Sequence, residues 1–356
     1  MRAAITPVLA VATLVLTWGR DLPPPLVVVV ALLLGAAVLS AVHHAEVVAH
    51  KVGEPFGSVV LAVAVTVIEV ALIVTLMISG GAKTQSLARD TVFAAVMITC
   101  NGLVGLSLLV AALRRRVAVF HPEGTGGAFA TVLMIATLSL VLPNFTTSRP
   151  GPQFSPAQLA FAAVTSLALY ALFVTVQTRR HRDYFLPITT AGEVIDAERH
   201  VDPPTGRAAL TSLGLLLLAL IGVVGLAKGV SPAIEKAVGD LGMPQAAVGV
   251  AIALLVLLPE TIAAVRAAAR DRVQTSLNLA IGSAMASIGL TIPAIAVAMI
   301  WLPGPLLLGL GGTQMVLLAL TAAVGTLTIV PGRANVLQGG IHLSLAAVFL
   351  FLAASP

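Results

Sequence analysis

Residues 57–80 read GSVVLAVAVTVIEVALIVTLMISG. A bilayer's hydrocarbon core is about 30 Å thick and takes roughly 20 apolar residues of helix to cross. This stretch has that length and holds one charge, Glu69, close to its middle. A carboxylate in hydrocarbon is costly, so an intramembrane acid marks a functional site by default. The pattern occurs a second time. Residues 248–269, VGVAIALLVLLPETIAAVRAAA, are again apolar, with Glu260 near the middle. No other Asp or Glu sits deep in an apolar run.

Composition fixes the class. The chain is 58% hydrophobic and 10% charged, with a mean hydropathy of +1.04. A soluble domain carries roughly 25% charged residues. The net charge is +5, but the basic residues fall in connectors rather than a stripe, so no nucleic-acid surface is expected. The single cysteine, Cys100, lies in an apolar run and reads as helix packing, without a disulfide framework. The N-terminal run, Ile5 to Trp18, has the outline of a signal peptide but is followed by GRDLPPP, which offers no small-residue cleavage site. It is expected to stay as a membrane helix.

Apolar runs bounded by charge, Pro or Gly give eleven candidate spans: 5–18, 26–49, 57–79, 91–112, 127–145, 156–177, 208–227, 245–268, 274–300, 312–330 and 334–353. Pro293 is expected to kink or break the ninth. Pro259, beside Glu260, frees a carbonyl that a polar cavity would tolerate and lipid would not. With the spans alternating, fourteen Lys and Arg fall on the side of the N-terminus and six on the other. The positive-inside rule then puts the N-terminus in the cytoplasm and the C-terminus outside. The localisation expected is a multi-pass protein of the cytoplasmic (inner) membrane, with lipid as its surroundings. The polar connector 179–207 would be a cytoplasmic linker or, through Glu193, Asp196 and Glu198, a regulatory segment.

The fold expected is an all-α polytopic membrane protein of about eleven transmembrane helices. One extra helix (1–25) precedes two five-helix repeats, 26–178 and 208–356, on either side of that connector. An odd number of spans per repeat inverts the second, the geometry of transporters with a midplane site. Glu69 and Glu260 fall in the second span of each repeat. Ala-Arg-Asp follows each, at 88–90 and 269–271, and eleven residues past each Asp come Asn101-Gly102 and Gly282-Ser283.

Hard cations take oxygen ligands. Two carboxylates from opposed helices would neutralise one Ca²⁺. Without it, buried like charges take up protons. Cation and proton therefore compete, and exchange follows if the site opens to one side at a time. Asn101, Ser283 and Thr66 are candidate neutral ligands. Each has a plainer reading: interhelical hydrogen bonding for Asn101, close packing for Ser283, a backbone-bonded hydroxyl for Thr66. His43, Glu46 and His50 share one helical face at i, i+3 and i+7 and, with Glu54, could form an ion vestibule or an interfacial amphipathic segment. Ala45 between His44 and Glu46 breaks the HExxH zinc-protease spacing.

The segments HHAEVVAHKVGEPFGSVVLAVAVTVIEVALI, ARDTVFAAVMITCNGLVG, LLPETIAAVRAAARDRVQTSLNLAIGSAMASIGLTIP and PGRANVLQGGIHL resemble the ChaA-type calcium/proton antiporters, a CAX-related branch of the Ca²⁺/cation antiporter superfamily. The resemblance covers nearly the whole chain. It implies an eleven-span inverted-repeat fold that exports cations against protons, with Glu69 and Glu260 as the acids of the two repeat motifs and Gly282-Ser283 as the Gly-Ser of the second. Where CAX proteins carry Gly-Asn before each acid, this chain has Val65-Thr66 and Val256-Leu257, and the first Gly-Ser reads Asn101-Gly102. Fewer side-chain oxygens argue against strict Ca²⁺ selectivity, and the resemblance to a branch also associated with Na⁺ and K⁺ exchange implies a broader cation range.

The expected activity is therefore cation/proton antiport, chiefly Ca²⁺ export, as the two halves rock about the site. The proton gradient would drive it, with no cofactor and no enzymatic chemistry. No GxxxxGK[ST] motif is present to bind a nucleotide. An intramembrane protease would want two Asp in place of two Glu. A passive channel would want a filter around a symmetry axis. The sequence is silent on oligomeric state.

Overall fold

The computed structural model describes residues 2–20, 22–53, 56–80, 84–188, 204–302 and 304–355. Among the described residues eleven long helices follow in order: α1 Arg2–Thr17, α2 Pro24–Val52, α3 Phe56–Gly80, α4 Leu87–Arg115, α5 Pro122–Asn144, α6 Pro156–Arg180, α7 Gly206–Asp240, α8 Ala246–Ala269, α9 Val273–Ala298, α10 Gly312–Ile329 and α11 Val336–Ala354. All but α1 are long and apolar enough to cross a membrane. Each of the eleven expected spans is found as a helix. The largest difference is α7, which runs past 227 to Asp240. Its apolar stretch ends near Ala227, but helix continues through a more polar run carrying Lys228, Lys236 and Asp240.

Local chemistry sets the helix starts. Proline stands at the first turn of α2, α5 and α6, where its missing N–H is not needed. Ser155 with Gln158, and Asn335 with Gln338, close capping boxes on α6 and α11. The expected break at Pro293 does not occur. α9 is continuous from Val273 to Ala298, and α8 runs through Pro259 likewise.

Helices from the two repeats interlock. α2 packs along α7, α3 against α9, and α4 against α8. Pairs match across the repeats: α6 lies on α9 as α11 lies on α4. At that last crossing the backbones touch. A Cβ on Gly105 would sit 2.9 Å from Leu343 N, and one on Gly339 would sit 2.8 Å from Leu109 N. Small residues allow such approach where burial from water cannot drive helices together.

Two apolar clusters result. One joins α4, α5 and α9 with parts of α6, α10 and α11. The other joins α1, α2 and α7. α3 and α8, the acid-bearing helices, contribute to both: Ile73 and Leu257 to the first, Ile68 and Val256 to the second. They form the seam.

The turns at one end tie the repeats together. Ala118–Val119 pairs antiparallel with Arg333–Ala334, the only strand ladder among the described residues. Arg115 grips Asp271 at 2.7 Å and holds its carboxyl below the usual carboxylate range. Arg114 donates to the carbonyl of Ala269.

A candidate ion site between the acid-bearing helices

Because α3 and α8 both lie on the seam, their mid-helix acids line one cavity of about 240 Å³. At roughly 30 Å³ per water, that is space for an ion and several waters. Glu69 is 2% exposed. The hydroxyl of Ser287, on α9, lies 2.8 and 2.9 Å from its two carboxylate oxygens and donates to them. Glu260 also lines the cavity, and its Oε2 is buried without a hydrogen-bond partner. Glu46 and Glu69 both lie within Coulombic reach of Glu260.

The cavity's lining comes from 61–69 of α3, 170–177 of α6, 253–260 of α8 and 275–287 of α9, with Ala95 of α4. On α3, α6 and α9 these stretches lie mainly toward the end where α3 and α9 begin and α6 finishes. Gln177, Thr275 and Asn278 form the polar mouth. Past Glu69 in the other direction, Leu72, Ile73, Leu76, Ile288 and Ile292 are buried and close the path.

Of the residues singled out from the sequence, Glu69, Glu260 and Ser283 come together here. Asn101 does not. Its amide donates to Thr321 at 2.9 Å and its Oδ1 faces His342 Nδ1 at 3.2 Å, on the side of α4 toward α10 and α11. The cause is local. Residues Ile98–Leu103 form a π-helical segment inside α4, which carries one more residue per turn and changes the phase of the helix. Matching Asn101-Gly102 to Gly282-Ser283 by counting ignores that insertion, because α9 has none.

Thr66 is 7% exposed and is not among the cavity's lining residues. Nor does its hydroxyl bond its own backbone; it has no partner. His43, Glu46 and His50 are exposed along α2 and do not line the cavity. Glu54 and residues 189–203, which include Glu193, Asp196 and Glu198, lie outside the described residues.

Ser287 and Thr291 escaped the sequence reading. Yet Ser283, Ser287 and Thr291 recur at i, i+4 and i+8, one face of α9. Thr291 is fully buried on the Glu69 side of α9, and its hydroxyl makes no hydrogen bond of ordinary geometry. Three hydroxyls in one column on a helix opposite a membrane carboxylate is a signal that period alone would have exposed.

Two inverted groups of five spans, closing on paired acids at mid-helix that line one cavity, define a secondary transporter of cations. The chain belongs to the sodium/calcium exchanger protein family, whose model matches residues 22–179 and 211–354. It is 48% identical over 327 residues (91% of this chain, 87% of the relative) to a Sinorhizobium fredii protein provisionally named ionic transporter y4hA. It is 33% identical over 350 residues (97% and 94%) to the sodium-potassium/proton antiporter ChaA of Escherichia coli. In fold it is similar to the H⁺/Ca²⁺ exchanger CAX, with a TM-score of 0.70 at 16% identity, covering 99% of this chain and 91% of the other. The resemblance read from the sequence to ChaA- and CAX-type antiporters is therefore shown, as are the helical membrane fold and its repeat.

Proposed function

We propose that this protein exchanges cations for protons across the membrane, with Glu69 and Glu260 carrying both. The observation behind this reading is the shared cavity, in which one carboxylate is held by Ser287 and the other has a buried oxygen unpartnered. The two carboxylates offer four oxygens and Ser283 and Ser287 two more, at the lower bound of the roughly 6–8 that Ca²⁺ takes. Water would complete the shell. A dianionic pair matches the charge of Ca²⁺, which remains the first cargo on this reading. The sparse hydroxyl set and the sodium-potassium/proton relative support Na⁺ and K⁺ as further cargo.

On the orientation given by the Lys and Arg bias, the open mouth at Gln177, Thr275 and Asn278 faces the cytoplasm. Because helices of the two repeats interlock, the motion favoured here for switching access runs along the seam, between α1, α2 and α7 on one side and the remaining helices on the other, in place of a rocking of the two halves.

The test is proton movement in vesicles containing a pH dye, with Ca²⁺, Na⁺ and K⁺ added separately. A response to none of them in folded protein would remove the reading. Protons and cation use the same oxygens, so the half-saturating cation concentration should rise as pH on the cation side is lowered. A pH-independent value would argue for separate sites. Ser287→Ala removes a hydrogen bond to a charged group, worth about 1.5–3 kcal/mol. The expected outcome is a half-saturating concentration raised roughly ten- to hundred-fold, with the protein still folded.

A further inference from the structure

Six lysines and arginines fall on the side with the fewer positive charges, and three of them, Arg20, Lys228 and Lys236, line one groove. The groove, about 880 Å³, lies between the end of α1 and the outer part of α7. Trp18 lines it too, 64% exposed, with Lys228 Nζ 5.7 Å from its ring centroid. Asp240 is the one acid among the described lining residues.

Depth gives these residues a level. From Gly206 to Lys228 the helix rises about 33 Å at 1.5 Å per residue, close to the thickness of the hydrocarbon core. Lys228 and Trp18 therefore sit at its boundary, where amphipathic rings collect. Lys236, two turns on, stands about 12 Å further out, at headgroup level. Below them, Leu210, Leu213, Leu217, Ile221 and Val224 form an exposed apolar track up α7. A cationic head-level pocket above an apolar track has the outline of one phospholipid.

We infer that this groove binds the phosphate-bearing headgroup of an anionic phospholipid, with its acyl chains along α7. Arg20, Lys228 and Lys236 supply the charge, and Trp18 fixes the level. The inference is independent of what Glu69 and Glu260 carry. It also explains why cations that the positive-inside rule disfavours on this side gather at one place.

The chain has two tryptophans, so Trp301→Phe leaves Trp18 as the sole reporter. This variant, full length, goes into vesicles holding equal mole fractions of phosphatidylglycerol or phosphatidylcholine, brominated near the top of the acyl chain. Trp18 should be quenched more by phosphatidylglycerol. The ratio between the two lipids cancels any change in Trp18's own emission. With Arg20→Gln, Lys228→Gln and Lys236→Gln combined, the ratio should fall to one. If that variant aggregates, Lys236→Gln alone takes its place and should lower the preference about five-fold, the contribution of one cation near an anionic surface. Arg149→Gln, on the same side but outside the groove, should leave the ratio unchanged. Equal quenching at the start, a preference that survives these substitutions, or an equal loss with Arg149→Gln would overturn the inference.

Discussion

Glu69→Gln and Glu260→Gln are each expected to bring cation-driven proton movement in reconstituted vesicles down to that of protein-free vesicles. Glutamine keeps the size of the side chain and its carbonyl oxygen but removes the charge and the titratable proton. A divalent ion in the cavity would then face one negative charge in place of two, in surroundings where water supplies little compensation. Loss of even a supporting partner of a metal ligand typically costs 10–100-fold in affinity, so loss of a charged ligand should cost at least about 100-fold. The two variants should also differ. In Glu69→Gln the new amide oxygen could still accept from the Ser287 hydroxyl, which Glu69 now engages with both oxygens, so the helices should stay in place. Glu260→Gln puts an amide where a buried oxygen has no partner. Its N–H₂ is free to meet Glu69, which would close the cavity around the one remaining charge. Exchange retained in either variant, at normal coupling to protons, would show that the carboxylates do not carry the ions. Size-exclusion profiles of both variants check that the fold survives.

Gly339→Leu should destabilise the protein by about 3 kcal/mol or more, beyond the usual cost of overpacking. A side chain there has no room: its Cβ would lie 2.8 Å from Leu109 N and 3.1 Å from Gly105 O, which are backbone atoms of α4 and cannot rotate aside. α11 would have to leave α4, taking His342 away from Asn101 and Thr328. Those bonds satisfy polar groups beside the π-helical segment of α4, so packing and polar satisfaction fail together. Gly340→Leu is the control, because nothing lies within 4 Å of a Cβ at Gly340. Thermal unfolding in detergent, followed by loss of the monodisperse peak, should separate the neighbouring variants clearly. Equal melting of the two would mean that the α4–α11 crossing does not hold the fold together.

Much of the architecture was legible in the chain. Hydropathy located all eleven helices, because transfer of a residue into lipid depends on that residue and its immediate neighbours. Glu69 and Glu260 stood out for the same reason: a lone acid in an apolar run is conspicuous whatever packs against it. Of the two outcomes expected at Pro293, a kink or a break, the break is absent: a proline in a helix disrupts only one turn, and α9 runs through it.

The sequence by itself determined the class of the protein, the positions of its eleven long helices and the two carboxylates that stand alone in apolar runs. Tertiary structure decided which neutral groups stand beside them. Asn101 and Ser287 are both polar residues in apolar helices, and nothing local ranks them. A π-helical segment turns Asn101 toward Thr321 and His342, while the unbroken α-helical phase of α9 turns Ser287 onto Glu69. Which face of a helix meets which neighbour depends on the accumulated phase of every turn before it and on the packing of helices distant in sequence. That is why the acids could be read residue by residue and their partners could not.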